Sequence, residues 1–294
     1  MKYRQFIPNS DSGYTLVELM VAMSLSLIIG AMAVSNFQSI QSMVRADIKR
    51  TSLNQNLRGA LDILGINIRI AGERLPGFFP AILVTDNGTG DTFTMRRSML
   101  DENLVACFAI ASGTTDPIVF GDSASTEANC AYSNKTDVLN AWAASRVEQG
   151  GIGLAYIYDR ITDVGEWFEW TSEIDTGTLM SIAPSSGSWT NNYTNSQAFA
   201  YVLEEWQFSL NGDTLQMVID NDTANPINVV DGLTAFNVEL ELYDGTVVTS
   251  YAEGDDWSDV ALIRITLAGE EQSGDRTITR SMNGSFLPRN VMSN

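Results

Sequence analysis

Histidine is absent, and only 2 cysteines occur in 294 residues. Without imidazole, Ser-His-Asp and Cys-His catalysis and histidine-containing zinc sites are excluded. Two cysteines are too few for a four-thiolate zinc site. Carboxylate-only catalysis stays open, but no motif points to it. The chain reads as something other than an enzyme, with no cofactor and no metal called for. Positive charge is scarce too: 17 Lys plus Arg face 36 Asp plus Glu, a net charge of −19. A field of that sign repels polyanions, so broad nucleic-acid binding is disfavoured. Eight of the 17 cations (Arg45, Lys49, Arg50, Arg58, Arg69, Arg74, Arg96 and Arg97) fall between residues 45 and 97. They leave room for a local basic patch there, and the rest has the acidity of a solvated, exported surface. Proline is missing from residues 9–75, so nothing forbids one long helix across that span.

What is present begins with the N-terminus. A short polar start, MKYRQFIPNSDSG, precedes residues 14–34, where Glu18 is the only charge. As a helix rising about 1.5 Å per residue, that run spans roughly 30 Å, enough for a bilayer's hydrocarbon core. Lys2 and Arg4 precede it and, by the positive-inside rule, keep the extreme N-terminus cytoplasmic. An ordinary signal peptide would be cut after the apolar run. Here no small-x-small site closes the run, and the helical pattern continues. The order polar leader, Gly, apolar helix points instead to a cut before the apolar segment, which is then retained.

Gly13-Tyr14-Thr15-Leu16-Val17-Glu18-Leu19-Met20 resembles the class III signal of type IV pilins and of the pseudopilins of type II secretion. The resemblance implies a leader of residues 1–13, cleaved between Gly13 and Tyr14 by the membrane-bound prepilin peptidase, with N-methylation of Tyr14. Most of that family has Phe where this chain has Tyr14. The resemblance also gives Glu18 its role: its carboxylate attracts the methylated amine of a neighbouring subunit during assembly. In a low-dielectric bundle such a pair fixes axial register, because only one stagger brings the charges together.

Beyond the membrane segment, Phe37, Ile40, Val44, Ile48, Leu53, Leu57, Leu61, Leu64 and Ile68 recur mostly at three- and four-residue steps, the mark of one buried stripe. Residues 35–72 therefore read as an amphipathic stem whose second half packs on a head. Gly59 and Gly65 each cost about 1 kcal/mol against Ala, and close approach of strands would offset that. Gly72, Pro76 and Gly77 stop the helix.

From residue 73 to 294 the period becomes alternating, and residues 103–110, 152–158, 198–210, 233–242 and 259–267 read as strands. Asn211-Gly212 and Asp244-Gly245 read as tight hairpin turns. Polar stretches at 112–116, 123–136 and 184–196 interrupt them. The fold class is α+β: a long N-terminal helix, transmembrane and then amphipathic, packed on an antiparallel sheet head. Cys107 and Cys130 lie in that head. Export makes a disulfide between them the default, worth about 3 kcal/mol in the chain-entropy model, against two buried free thiols.

Residues 57–72, LRGALDILGINIRIAG, and the closing Leu287-Pro288-Arg289-Asn290 are similar to the corresponding stretches of PilW-type minor pilins. That resemblance implies a tip or priming subunit of a type IV pilus, serving adhesion, twitching motility or DNA uptake. Its partners would be other minor and major pilins, the prepilin peptidase and the inner-membrane assembly platform. It would cross the inner membrane once before moving into a periplasmic or extracellular filament. Pseudopilin J of type II secretion shares the plan and is the alternative. A weaker signal for Ca²⁺ is the set of oxygens on Asp220-Asn221-Asp222 with Asp231-Gly232, or on the acidic turn 255–259, but no spacing there matches an EF-hand loop and acidic turns between strands are common. Trp167-Phe168-Glu169-Trp170 puts rings on both faces of a strand, as a core plus a partner-facing surface would.

Overall fold

A computed structural model of the chain describes residues 15–274 and 276–290. It is an α+β protein: a long N-terminal helix, α1 (Leu16–Ile70), and antiparallel ladders throughout the head. Compactness divides it into a unit holding the chain up to Ser52 with Glu271–Ile278, and a unit holding Leu53–Glu270 with the chain from Thr279.

In the first unit, α1 is exposed along nearly all of its length, apolar at first and charged from Arg45 to Arg50. Phe37, Ile40, Val44 and Ile48 of the expected stripe stay more than half exposed. In the second unit the stripe is buried: Leu53, Leu57, Leu64 and Ile68 are fully covered, and Leu61 nearly so. Each such burial stabilises by roughly 2 kcal/mol, so this half of α1 is held by packing and does not depend on propensity. Gly65 has the close-packing role expected of it, since a Cβ there would lie 2.5 Å from the Phe286 ring. Gly59 does not: nothing lies within 4 Å of its Cβ position, because it sits on the exposed face.

The helix ends as its glycine demands. Gly72 takes φ +76°, a left-handed C-terminal conformation, and a Cβ there would stand 2.2 Å from the fully buried ring of Trp257. The Trp257 indole N–H donates to the Pro76 carbonyl at 3.0 Å, fixing the chain just beyond the helix.

Sixteen strands follow among the described residues. They are β1 (Ile82–Thr85), β2 (Thr92–Ser98), β3 (Leu104–Val105), β4 (Ile118–Asp122), β5 (Gly153–Asp159), β6 (Val164–Trp170), β7 (Glu173–Asp175) and β8 (Leu179–Ile182), with helix α2 (Thr136–Glu148) between β4 and β5. Then come β9 (Ala198–Tyr201), β10 (Leu203–Asn211), β11 (Thr214–Ile219), β12 (Ile227–Asp231), β13 (Leu233–Leu242), β14 (Val247–Val248), β15 (Val260–Ser273) and β16 (Arg276–Phe286). The sheets run β1-β2-β10-β11-β12, β14-β13-β15-β16, β3-β9-β5-β6 and β4-β8-β7.

Two hydrophobic cores result. One joins the buried stripe of α1 to the first two sheets through Phe93, Phe208, Phe236 and Ile265; the other joins α2 to the last two through Trp142, Phe168 and Trp170. The expected strand 198–210 is broken at Val202, because β9 pairs with β5 and β10 pairs with β2 in a different sheet. The expected strand 103–110 shortens to Leu104–Val105: the chain leaves the ladder as Cys107 N–H turns to the Val119 carbonyl at 2.7 Å. The first hairpin turn falls at Gly212-Asp213, one residue past Asn211-Gly212, since Asn211 still pairs with Thr214.

Candidate functional site

Gly13 and Tyr14, the cleavage and methylation positions, lie outside the described residues. The description starts at Thr15, where the helix cap is built. The Glu18 carboxylate accepts from the Thr15 backbone N–H at 2.9 Å and from its hydroxyl at 3.0 Å. In return the Thr15 hydroxyl oxygen accepts from the Glu18 N–H at 3.2 Å. This is a capping box: two N-terminal donors without intrahelical partners are satisfied reciprocally. It also places the one carboxylate of the apolar run at the positive end of the helix dipole, which offsets part of the cost of a charge at a membrane edge. Sequence reasoning passed over Thr15 as a functional residue, although the Thr-x-x-Glu spacing is there to read.

Behind this cap, α1 is the one helix among the described residues long and apolar enough to cross a membrane, and its most apolar stretch is wholly uncovered by the rest of the chain. Large apolar side chains from Leu16 to Val34 stay more than half exposed, which suits lipid or neighbouring helices.

In the head, Cys107 and Cys130 form a disulfide with Cα atoms 5.6 Å apart. The aromatic run on β6 splits between the two faces of the strand: Phe168 and Trp170 are buried in the second core, while half-buried Trp167 packs edge-on to Tyr156 at 5.3 Å, against the first. The face with Trp167 and exposed Glu169 is only partly covered by the protein's own rings. The acidic turns have internal tasks. Asp220 accepts from the Glu205 N–H at 2.8 Å, whereas Asp231 accepts from the Thr214 hydroxyl at 2.8 Å at the far end of β12, so the two are not brought together. Asp256 caps the short turn that carries buried Trp257, accepting from the Ser258 N–H at 2.9 Å.

Two features escaped sequence reasoning. Arg96 and Glu205, each 7% exposed, sit opposite one another on β2 and β10 and pair at 2.6 Å. The Arg96 guanidinium lies 4.6 Å from the Tyr156 ring centre, and the Tyr156 hydroxyl donates to Glu253 at 2.8 Å. Burial pushes the Tyr156 phenol well above its usual range, so it stays a neutral donor. The second is Asn290. Its side-chain amide donates to the Ile70 and Ala71 carbonyls at 3.3 and 3.0 Å, capping the C-terminal end of α1.

The family model of the prokaryotic N-terminal methylation motif matches residues 8–34. That match brackets Gly13, Tyr14, the capping box and the apolar run. With the long helix on an antiparallel head, it supports a type IV pilin-like protein, of a pilus or a pseudopilus. No curated protein and no solved structure matches the chain.

Proposed function

We infer that this chain is a minor subunit of a type IV pilus, acting at the tip to prime assembly, and that it is a structural protein without catalytic activity. The observation that carries the reading is the methylation motif on an apolar run, residues 14–34, whose only carboxylate is presented at the N-terminal cap of the helix. Cleavage of the Gly13–Tyr14 bond would free the Tyr14 amine for methylation. Glu18 would then exchange its contacts with Thr15 for the methylated amine of a neighbouring subunit, and the stagger that allows this pairing would set axial register. The minor-subunit assignment rests on the size of the head after residue 73 and on the two PilW-like ends, which meet where Asn290 caps the stem. Adhesion, twitching motility and DNA uptake are the activities such a filament serves. The domain limits proposed are leader 1–13, membrane and filament-core helix 14–34, stem 35–72 and head 73–294, with the N-terminus cytoplasmic before assembly.

Glu18→Ala should leave leader cleavage and membrane insertion intact and reduce the number of filaments, while those that form keep normal diameter. Quantitative mass spectrometry of sheared pili should find this chain far below the principal subunit. Its presence as the dominant component would overturn the minor-subunit reading. The motif is shared with secretion pseudopilins, and loss of protein export without loss of pili on deletion of this chain would select that alternative.

A further inference from the structure

We propose that the outer edge of β16, over residues 279–286, together with the arginine-flanked cleft at its end, accepts an extended acidic segment of another protein as an added strand. β16 ends its sheet, so no strand of the chain lies beside it among the described residues. Exposed edges are usually short, charged or broken by proline. The other seven terminal strands obey this by being short: the longest is β6, of seven residues, and it carries Glu166 and Glu169. None of those seven contains Lys or Arg. β16 has 11 residues and no proline, and its only charges are basic: Arg276 at its start and Arg280, which leaves residues 281–286 uncharged. Its outward-facing Thr279, Ser281, Asn283 and Ser285 are exposed, uncharged and small enough to admit a neighbouring strand.

The charges make the edge selective. In a chain of net charge −19, Arg69, Arg280 and Arg289 are exposed, and their side chains make no ion pair or hydrogen bond among the described residues. Arg69 and Arg289 line a cleft of about 370 Å³ where β16 ends, together with Ser285, Phe286, Leu287 and Pro288. Unpaired cations on an acidic protein, beside an open ladder and the apolar side chains of Phe286 and Leu287, fit a segment that alternates carboxylates with apolar residues. A second copy of this chain fits less well, because the net charges repel.

This inference does not depend on the pilin reading. The test uses the full chain in detergent and three probes: a synthetic peptide alternating Glu and Val, its Gln-Val counterpart, and a single-stranded oligothymidine. The Glu-Val peptide should bind and slow amide exchange at residues 279–286, and Arg69→Gln with Arg289→Gln should weaken it about tenfold. Both sites are exposed, so the fold should be unchanged. Four results would each overturn the proposal: no binding of the acidic peptide, binding without protection at 279–286, equal affinity for the two peptides, or tighter binding of the oligothymidine.

Discussion

Asp220 gives the sharpest stability test in the head. It occupies the turn between β11 and β12 at φ +49°, followed by Asn221 at φ +61°. Its carboxylate accepts the Glu205 N–H at 2.8 Å, and its own N–H donates to the Glu205 carbonyl at 3.0 Å. Burial pushes its pKa from 3.8 up to about 6, the negative charges of Glu204 and Glu205 add to this, and the Glu205 N–H opposes it. The folded state therefore holds a proton that the unfolded chain has lost between pH 3.8 and about 6. Stability should fall as pH rises through that window, with the whole cost present above it. Two pKa units correspond to an upper limit of about 3 kcal/mol, and partial solvent access reduces this to about 1–2 kcal/mol. Asp220→Asn keeps the acceptor and tolerates the left-handed backbone, while removing the charge. It should be more stable than the parent by about 1–2 kcal/mol above pH 6 and should lose the advantage near pH 4. Urea unfolding of the two proteins across that range measures it. Parallel stability curves, or an Asp220→Asn protein weaker than the parent at neutral pH, would refute the reasoning.

Two further perturbations probe how the stem end and the second core are held. Gly72→Ala forces a side chain into a left-handed backbone and against the Trp257 ring. It should cost about 2–4 kcal/mol and be visible as a drop in the unfolding midpoint followed by tryptophan emission. Cys130→Ser opens the loop closed by Cys107 across 23 residues. It should cost about 3 kcal/mol in thermal unfolding, and an unchanged melting temperature would show that the disulfide adds nothing to the head.

The helix, its stop and the class of protein are legible in the sequence because each depends on local chemistry: an apolar run with one acid, a stripe of period 3.6, and Gly72 before Pro76. What stays hidden depends on pairing at a distance. Residues 198–210 alternate without a break, and only the competition between β5 and β2 for partners reveals that Val202 passes the chain from one sheet to another. Helix α2 is illegible because only Trp142 and Ser145 of its 13 residues are buried, too few to set a visible period. Arg96 and Glu205 are 109 residues apart, so nothing local marks them as partners. Asn290 stands out as part of a tail motif but not as a donor, since its acceptors lie about 220 residues upstream. Conversely Thr15 and Glu18 lie three residues apart, and the capping box that joins them can be read from their spacing alone.

The central claim is that the chain is processed as a type IV pilin-like protein, and the mature N-terminus tests it most directly. Intact-mass and peptide sequencing by mass spectrometry, on protein isolated from the native host's membranes, should find a chain that starts at Tyr14 and carries one added methyl on its amine. Gly13→Val, which places a branched side chain at the residue before the cut, should leave the full precursor with Met1 or Lys2 at its start. A mature chain beginning after Val34, with the apolar helix removed, would contradict the account.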